Sequence, residues 1–149
     1  MSRQKAFGDE TWRLARTGEA IELHRAAGLL DGYDAHRARA FALAVEGRVD
    51  DALAELNEGA EGGWPFAAAR AADRARVRFL AGDYRHSLET LQPAVHAADR
   101  LDPAVAELAA DIAAREPRLR LRAVKLVLGG GTIWQRLRNA AAVAASRDR

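Results

Sequence analysis

A helix–turn–helix pattern that occurs twice constrains the fold of this chain more than any other feature. The stretch EGRVDDALAELNEGA (46–60) aligns with AGDYRHSLETLQPAV (81–95) at an offset of 35 residues. The aligned pairs are Gly47 and Gly82, Val49 and Tyr84, Ala52 and Ser87, Leu53 and Leu88, and Leu56 and Leu91. An alanine-rich amphipathic segment precedes each copy. The repeated unit is therefore predicted to be a helix, a glycine turn and a second helix.

The composition favours helices throughout the chain. Hydrophobic residues make up 49% of the 149 residues, and aromatic residues only 6%. Alanine has the highest helix propensity, and arginine, leucine and glutamate follow closely. One hairpin buries too little apolar area alone, and about three stacked units are usually needed for a continuous core. Residues 9–30 and 103–128 are candidates for further hairpins before and after the two copies.

The second helix of each copy resembles that of the tetratricopeptide repeat (TPR) family. In that family an apolar or aromatic residue follows the turn glycine by two positions, and a small residue comes three positions later. Gly47, Val49 and Ala52 match this pattern, as do their counterparts 35 residues on. The resemblance covers residues 34–100. It implies an all-α fold of antiparallel hairpins stacked as a short right-handed α-solenoid, and a non-catalytic adaptor that binds a partner segment in its concave groove.

The same resemblance implies which side chains line the groove, because the first helix of each TPR pair faces it. The implied groove residues are Arg37, Phe41 and Val45 in one copy, and Asp73, Arg76 and Phe79 in the next. Arginine beside an aromatic ring suits an acidic or carboxylate-ended peptide. The alternative is that the arginines are solvated and the phenylalanines belong to the core. Another protein or peptide is therefore the expected partner, and a second copy of the chain is a further candidate.

The C-terminal part of the chain is predicted to be a separate helix behind a glycine joint. Residues 1–128 form the predicted repeat domain, 129–131 a flexible glycine hinge, and 132–149 a basic amphipathic helix with its tail. Thr132 and Gln135 have the spacing of a capping box. A phosphate-binding loop would need a lysine after the glycines, whereas Lys125 precedes them. The alternation at 118–122 is strand-like, yet no other segment offers a pairing strand.

Charge is distributed unevenly along the chain. Residues 1–114 carry 14 basic and 19 acidic side chains, a net charge of −5, whereas residues 115–149 carry 9 and 2, a net charge of +7. The candidate binding residues of this segment are Arg118, Arg120, Arg122, Lys125, Trp134, Arg136 and Arg138. They are consistent with nucleic-acid phosphates, with an anionic membrane that takes up Ile133, Trp134 and Leu137, or with a protein partner. A merely solubilising face is the fourth interpretation.

Catalytic chemistry has little support in the sequence. Cysteine is absent, which excludes disulfides and thiolate chemistry. None of the four histidines belongs to an H-E-x-x-H motif, and no G-x-S-x-G elbow occurs. The aspartates that precede apolar patterns are predicted helix caps: Asp9, Asp34, Asp50, Asp83 and Asp102. We therefore expect no enzyme activity, no cofactor and no metal site.

The location and one helix break are also predicted. No apolar run approaches the ~20 residues of a membrane span, and the first residues lack the apolar stretch of a secretory signal, so a cytoplasmic location is expected. Pro93 is expected to kink or break its helix near residues 89–92.

Overall fold

The computed structural model describes residues 3–60, 67–96 and 100–147, with side chains from Glu10 onward. These residues form α-helices and one 3-10 helix, and no strand occurs among them, which confirms the all-α class. The helices are α1 (Arg3–Arg16), α2 (Ala20–Leu29), α3 (Gly32–Val45), α4 (Val49–Gly59), α5 (Ala67–Leu80), α6 (Tyr84–His96), α7 (Pro103–Arg115), α8 (Arg120–Val127) and α9 (Ile133–Ala145). The 3-10 helix, Pro117–Leu119, immediately precedes α8.

Two compact units divide the helices between them. The first unit comprises Met1–Phe66 and Arg76–Gly82, and the second comprises Ala67–Ala75 and Asp83–Arg149. In the first unit α2 packs on α1 and α3, and α3 also packs on α1 and α4. Because α3 contacts three other helices, its alanines and Phe41 are buried on several sides.

The second unit is built around α7. This helix packs against α6, α8 and α9, and α8 and α9 also contact each other. Its apolar side chains meet those of the neighbouring helices in a core that includes Leu91, Val95, Ile112, Val127 and Val143. Consecutive helices therefore pack against each other from α1 to α4 and from α6 to α9.

The two sequence copies have the same local geometry at their turns. Gly47 and Gly82 both have positive φ angles, +83° and +80°, which a residue with a Cβ rarely adopts. The Gly47 N–H donates to the Ala44 carbonyl at 3.0 Å, and the Gly82 N–H donates at the same distance to the Phe79 carbonyl, 35 residues further on. The small residues that follow, Ala52 and Ser87, are both fully buried. The two sequence copies therefore share the local geometry of their turns and the burial of the small residue that follows.

The predicted helix starts are correct in part. Asp102 accepts a hydrogen bond from the Ala104 N–H and caps α7, and Asp83 accepts one from the His86 N–H at the start of α6. By contrast, α3 and α4 begin before Asp34 and Asp50, so these two carboxylates lie in the first helical turn instead of at the cap. They still face the positive end of the helix dipole, which explains their position in the sequence.

The helix around Pro93 continues without the predicted break. α6 extends through this residue to His96. Pro93 is exposed, so its ring meets solvent, while the neighbouring Ala94 and Val95 are buried. The packing of the buried side chains offsets the one backbone hydrogen bond that a proline cannot make.

The joint before α9 is closely packed. The predicted capping box is confirmed: Thr132 accepts from the Gln135 N–H at 3.2 Å, and Gln135 Oε1 accepts from the Thr132 N–H at 3.1 Å. Gln135 also bonds both main-chain groups of Leu101, which precedes α7. Gly130 is buried against Val95. These contacts give the joint a packing role, and its flexibility stays a prediction. The strand-like stretch 118–122 lies in the 3-10 helix and α8.

Candidate functional site

An aromatic cluster in the first unit brings together most of the predicted groove residues. The Trp12 ring of α1 meets Phe41 of α3 edge-on, with ring centroids 5.6 Å apart and planes at 63°. The same ring lies 6.0 Å from Phe79 of α5. Such edge-to-face and tilted contacts are the favoured arrangements of aromatic pairs. All three rings are buried, so Trp12 covers the two phenylalanines that the resemblance assigned to the groove.

Two arginines complete this cluster, which we call the Trp12 cluster: Trp12, Arg37, Phe41, Arg76 and Phe79. The Arg37 guanidinium lies 4.7 Å from the Phe41 ring centroid, and the Arg76 guanidinium lies 4.7 Å from that of Trp12. An arginine over an aromatic face is attracted by the electron density of the ring, most strongly for tryptophan. Arg37 is only 8% exposed, so its main contacts are inside the protein.

The other two predicted groove residues lie outside the cluster. Val45 is the last residue of α3 and is half-buried. Asp73 belongs to the second unit and is buried. The contribution of Trp12 was missed in the sequence, although it is the one large aromatic residue of the predicted first helix. Its position on an amphipathic helix, three residues before Ala15, was the available signal.

The outer side of α1 carries an ion pair next to Trp12. Arg13 donates to both oxygens of Glu10, at 2.9 and 2.5 Å. This hydrogen bond lowers the pKa of the Glu10 carboxyl below its ordinary value. The two residues are three positions apart on the helix, so the ion pair supports the helicity of α1.

The predicted basic segment is exposed at most of its cationic positions. The exposed members are Arg118, Arg122, Lys125, Arg136 and Arg138, together with Trp134. Arg120 differs, because it is half-buried and donates to the Ser146 carbonyl at 2.8 Å, at the C-terminal end of α9. Arg120 therefore holds α8 and α9 together, while the other cations face solvent.

The same part of the chain exposes large apolar side chains. Ile133, Trp134 and Leu137 on α9 are 63%, 73% and 54% exposed. Between residues 117 and 147 the sequence has seven basic residues and no acidic one. Exposed apolar side chains that lie together beside cations make this part of the chain a candidate binding surface. We call Ile133, Trp134, Leu137, Arg136 and Arg138 the α9 surface. None of the helices in the described part of the chain is long and apolar enough to cross a bilayer.

A third group of functional side chains lies between α3 and α4. A ring nitrogen of His36 and carboxylate oxygens of Glu55 and Glu58 lie within 4.8 Å of one another. His36 Nδ1 donates to Glu55 Oε2 at 2.7 Å. These residues were not predicted, because His36 and Glu55 are 19 positions apart and meet only through helix packing. In the sequence, only the three-residue spacing of the two glutamates indicated this group.

Comparison of the chain with protein-family models, with curated proteins and with solved structures finds no match.

Proposed function

We propose that the protein is a non-catalytic adaptor, in which TPR-like hairpins stack as a short right-handed solenoid and hold a segment of another protein in their groove. The repeated turn geometry at Gly47 and Gly82 supports the stacking of equivalent units. The packing of consecutive helices from α1 to α4 and from α6 to α9 supports it as well. A rigid helical frame of this kind presents fixed side chains to a partner.

The Trp12 cluster is the observation that carries this proposal. Phe41, Phe79 and Arg76, which the resemblance assigns to the groove, contact the Trp12 ring, and helix α1 supplies this ring. An aromatic anchor on an amphipathic helix is a common way for one protein to enter the groove of another. The preferred partner is therefore a helical segment with a tryptophan or phenylalanine, and α1 is its intramolecular counterpart.

This proposal is tested by supplying α1 as a separate peptide. A chain that lacks residues 1–16 is mixed with a synthetic peptide of residues 3–18, and binding is followed by calorimetry and by thermal unfolding. We expect the peptide to bind and to raise the Tm of the truncated chain. A peptide with Trp12→Ala is the matched control and should bind at least about tenfold more weakly, since truncating an anchor residue costs 2 kcal/mol or more.

A second variant locates the binding on the groove. Arg76→Glu in the truncated chain removes the cation that covers the tryptophan ring and should weaken capture of the peptide. Arg85→Glu is the charge-matched control, because Arg85 is exposed and forms an ion pair with Glu89 on the surface of α6. If the truncated chain is folded and ignores the peptide, the groove does not accept a helix and the proposal is rejected.

A second candidate function, attachment to an anionic membrane, is favoured by the α9 surface. Trp134 and its apolar neighbours are exposed beside arginines, which is the composition of a helix that lies in the headgroup region. Nucleic acid is a weaker alternative, because stacking on bases needs several aromatic residues and this segment has one. The same exposed patch also fits a protein partner with an acidic rim.

Vesicles distinguish these partners. In a variant with Trp12→Phe and Trp64→Phe, the emission of Trp134 should shift to the blue with vesicles that contain phosphatidylserine, and not with phosphatidylcholine alone. Leu137→Asn should reduce the shift, and added salt should weaken it. A response to duplex DNA with no response to vesicles would instead assign this surface to nucleic acid.

A further inference from the structure

We propose that the facing sides of α3 and α4 bind a divalent transition-metal ion through His36, Glu55 and Glu58, with Zn²⁺ as the preferred ion. The three donor groups lie within 4.8 Å of one another, a separation that one ion can bridge with small side-chain adjustments. His36 and Glu55 are in hydrogen-bond contact at 2.7 Å, so two of the three donor groups already meet, and an ion bound at His36 Nδ1 would displace the proton that they share. This site shares no residue with the Trp12 cluster or with the α9 surface.

The helix pair is built to bring these groups together. Glu55 and Glu58 are three residues apart on α4 and therefore share one face of that helix. His36 comes from α3, which packs closely on α4. A Cβ added at Gly59 would lie 2.6 Å from the Cβ of His36, so the absence of a side chain at Gly59 lets the histidine approach the end of α4.

The donor set selects a class of ion. Imidazole favours zinc and other transition metals, whereas Mg²⁺ and Ca²⁺ prefer oxygen ligands throughout. One nitrogen and two carboxylates provide three protein ligands, and tetrahedral zinc then takes a water as the fourth. His36 and Glu55 are half-buried and Glu58 is exposed, so the fourth ligand enters from the side of Glu58.

Arg39 should lower the affinity of this site for a metal ion. Its Nε lies 3.5 Å from Glu55 Oε2, the oxygen that also accepts from His36. A bound dication would compete with this guanidinium for the same carboxylate. The Arg39 side chain is 41% exposed, so it can turn toward solvent when a metal enters. Neutralising Arg39 should therefore strengthen metal binding, whereas removing a ligand should weaken it.

The test is a calorimetric titration of the full chain with Zn²⁺ after treatment with a chelator, together with thermal unfolding. We expect one ion per chain and a Tm that rises by roughly 5–10 °C at a hundredfold excess over Kd. Glu58→Gln should weaken binding by about tenfold or more, the range found even for groups that only support a ligand. Because Glu58 is exposed, this variant should keep the fold of the unmodified chain.

Two further variants separate a built site from a surface histidine. Arg39→Gln should tighten binding several-fold, a change that a purely structural His36–Glu55 ion pair would not produce. His24→Gln is the matched control, because His24 contacts Glu46 at 2.7 Å without a third ligand in the described part of the chain, and this variant should bind Zn²⁺ as the unmodified chain does. The proposal is overturned if the unmodified chain shows no Tm shift with millimolar Zn²⁺, or if Glu58→Gln binds Zn²⁺ with unchanged affinity.

Discussion

Gly130 lies against the main chain of Val95, so closely that a Cβ at Gly130 would come 2.4 Å from the Val95 carbonyl oxygen. The same atom would lie 2.6 Å from Val95 Cγ1. Backbone atoms cannot move aside as a flexible side chain does. We therefore expect Gly130→Ala to lower the free energy of unfolding by about 1–3 kcal/mol, the usual cost of overpacking, measured by urea unfolding.

Gly28 provides the matched control for this substitution. It lies in α2, and a Cβ there would meet nothing within 4 Å. Alanine is the better helix former, so Gly28→Ala should raise the free energy of unfolding by up to about 1 kcal/mol. Equal effects of the two substitutions would show that Gly130 is not held by a close contact.

The two described tryptophans should respond oppositely to truncation. Trp12 is buried between Phe41 and Phe79, and its removal leaves a cavity in the first unit. We expect Trp12→Ala to cost about 3–5 kcal/mol of unfolding free energy, whereas Trp134→Ala should change it by less than about 0.5 kcal/mol because Trp134 is exposed. Chemical unfolding of both variants measures the difference. A small effect of Trp12→Ala would mean that α1 contributes little to the unit.

The side chain of Gln135 should contribute more to stability than the side chain of Thr132, which caps α9. Its side chain accepts from the Leu101 N–H and donates to the Leu101 carbonyl, each at 3.2 Å. Leu101 is buried, so Gln135→Ala leaves two main-chain groups without these partners, at a cost of about 1–3 kcal/mol. Thr132→Ala removes one cap bond and should cost about 1 kcal/mol. Thermal unfolding of the two variants tests this order.

The sequence was sufficient to predict the features that depend on local geometry. The glycine turns, the small buried residues Ala52 and Ser87 and the capping box at Thr132 follow from rules that act within a few residues. The exact start of α3 was less predictable, because Asp31 and Asp34 are both acceptable near a helix N-terminus. The path of the backbone through Pro93 depends on the packing of its neighbours, which a single sequence does not reveal.

The candidate sites depend on contacts between residues far apart in the chain. Phe41 and Phe79 were singled out, yet their cover by Trp12 requires the packing of α1, which has no counterpart in the repeat pattern. His36 and Glu55 likewise meet only because α3 and α4 pack together. The exposure of Trp134, by contrast, was compatible with every interpretation of the basic segment. The amphipathic pattern of α9 does not specify which residues its neighbours cover.

Substitution of two arginines in the basic segment should distinguish a structural role from a role in binding. Arg120 donates to the Ser146 carbonyl at 2.8 Å, whereas Arg118 is exposed. Arg120→Ala should lower the free energy of unfolding by about 1.5–3 kcal/mol, the range for hydrogen bonds to charged groups, and Arg118→Ala should change it by less than about 0.5 kcal/mol. If the exposed cations of the whole basic segment meet an anionic membrane together with the α9 surface, Arg118→Ala should still weaken vesicle binding, by about 1 kcal/mol for the lost cation. Chemical unfolding and vesicle co-sedimentation of the same two variants measure both effects. Loss of vesicle binding in Arg120→Ala alone would show that the helix contact, and not the cationic face, determines attachment.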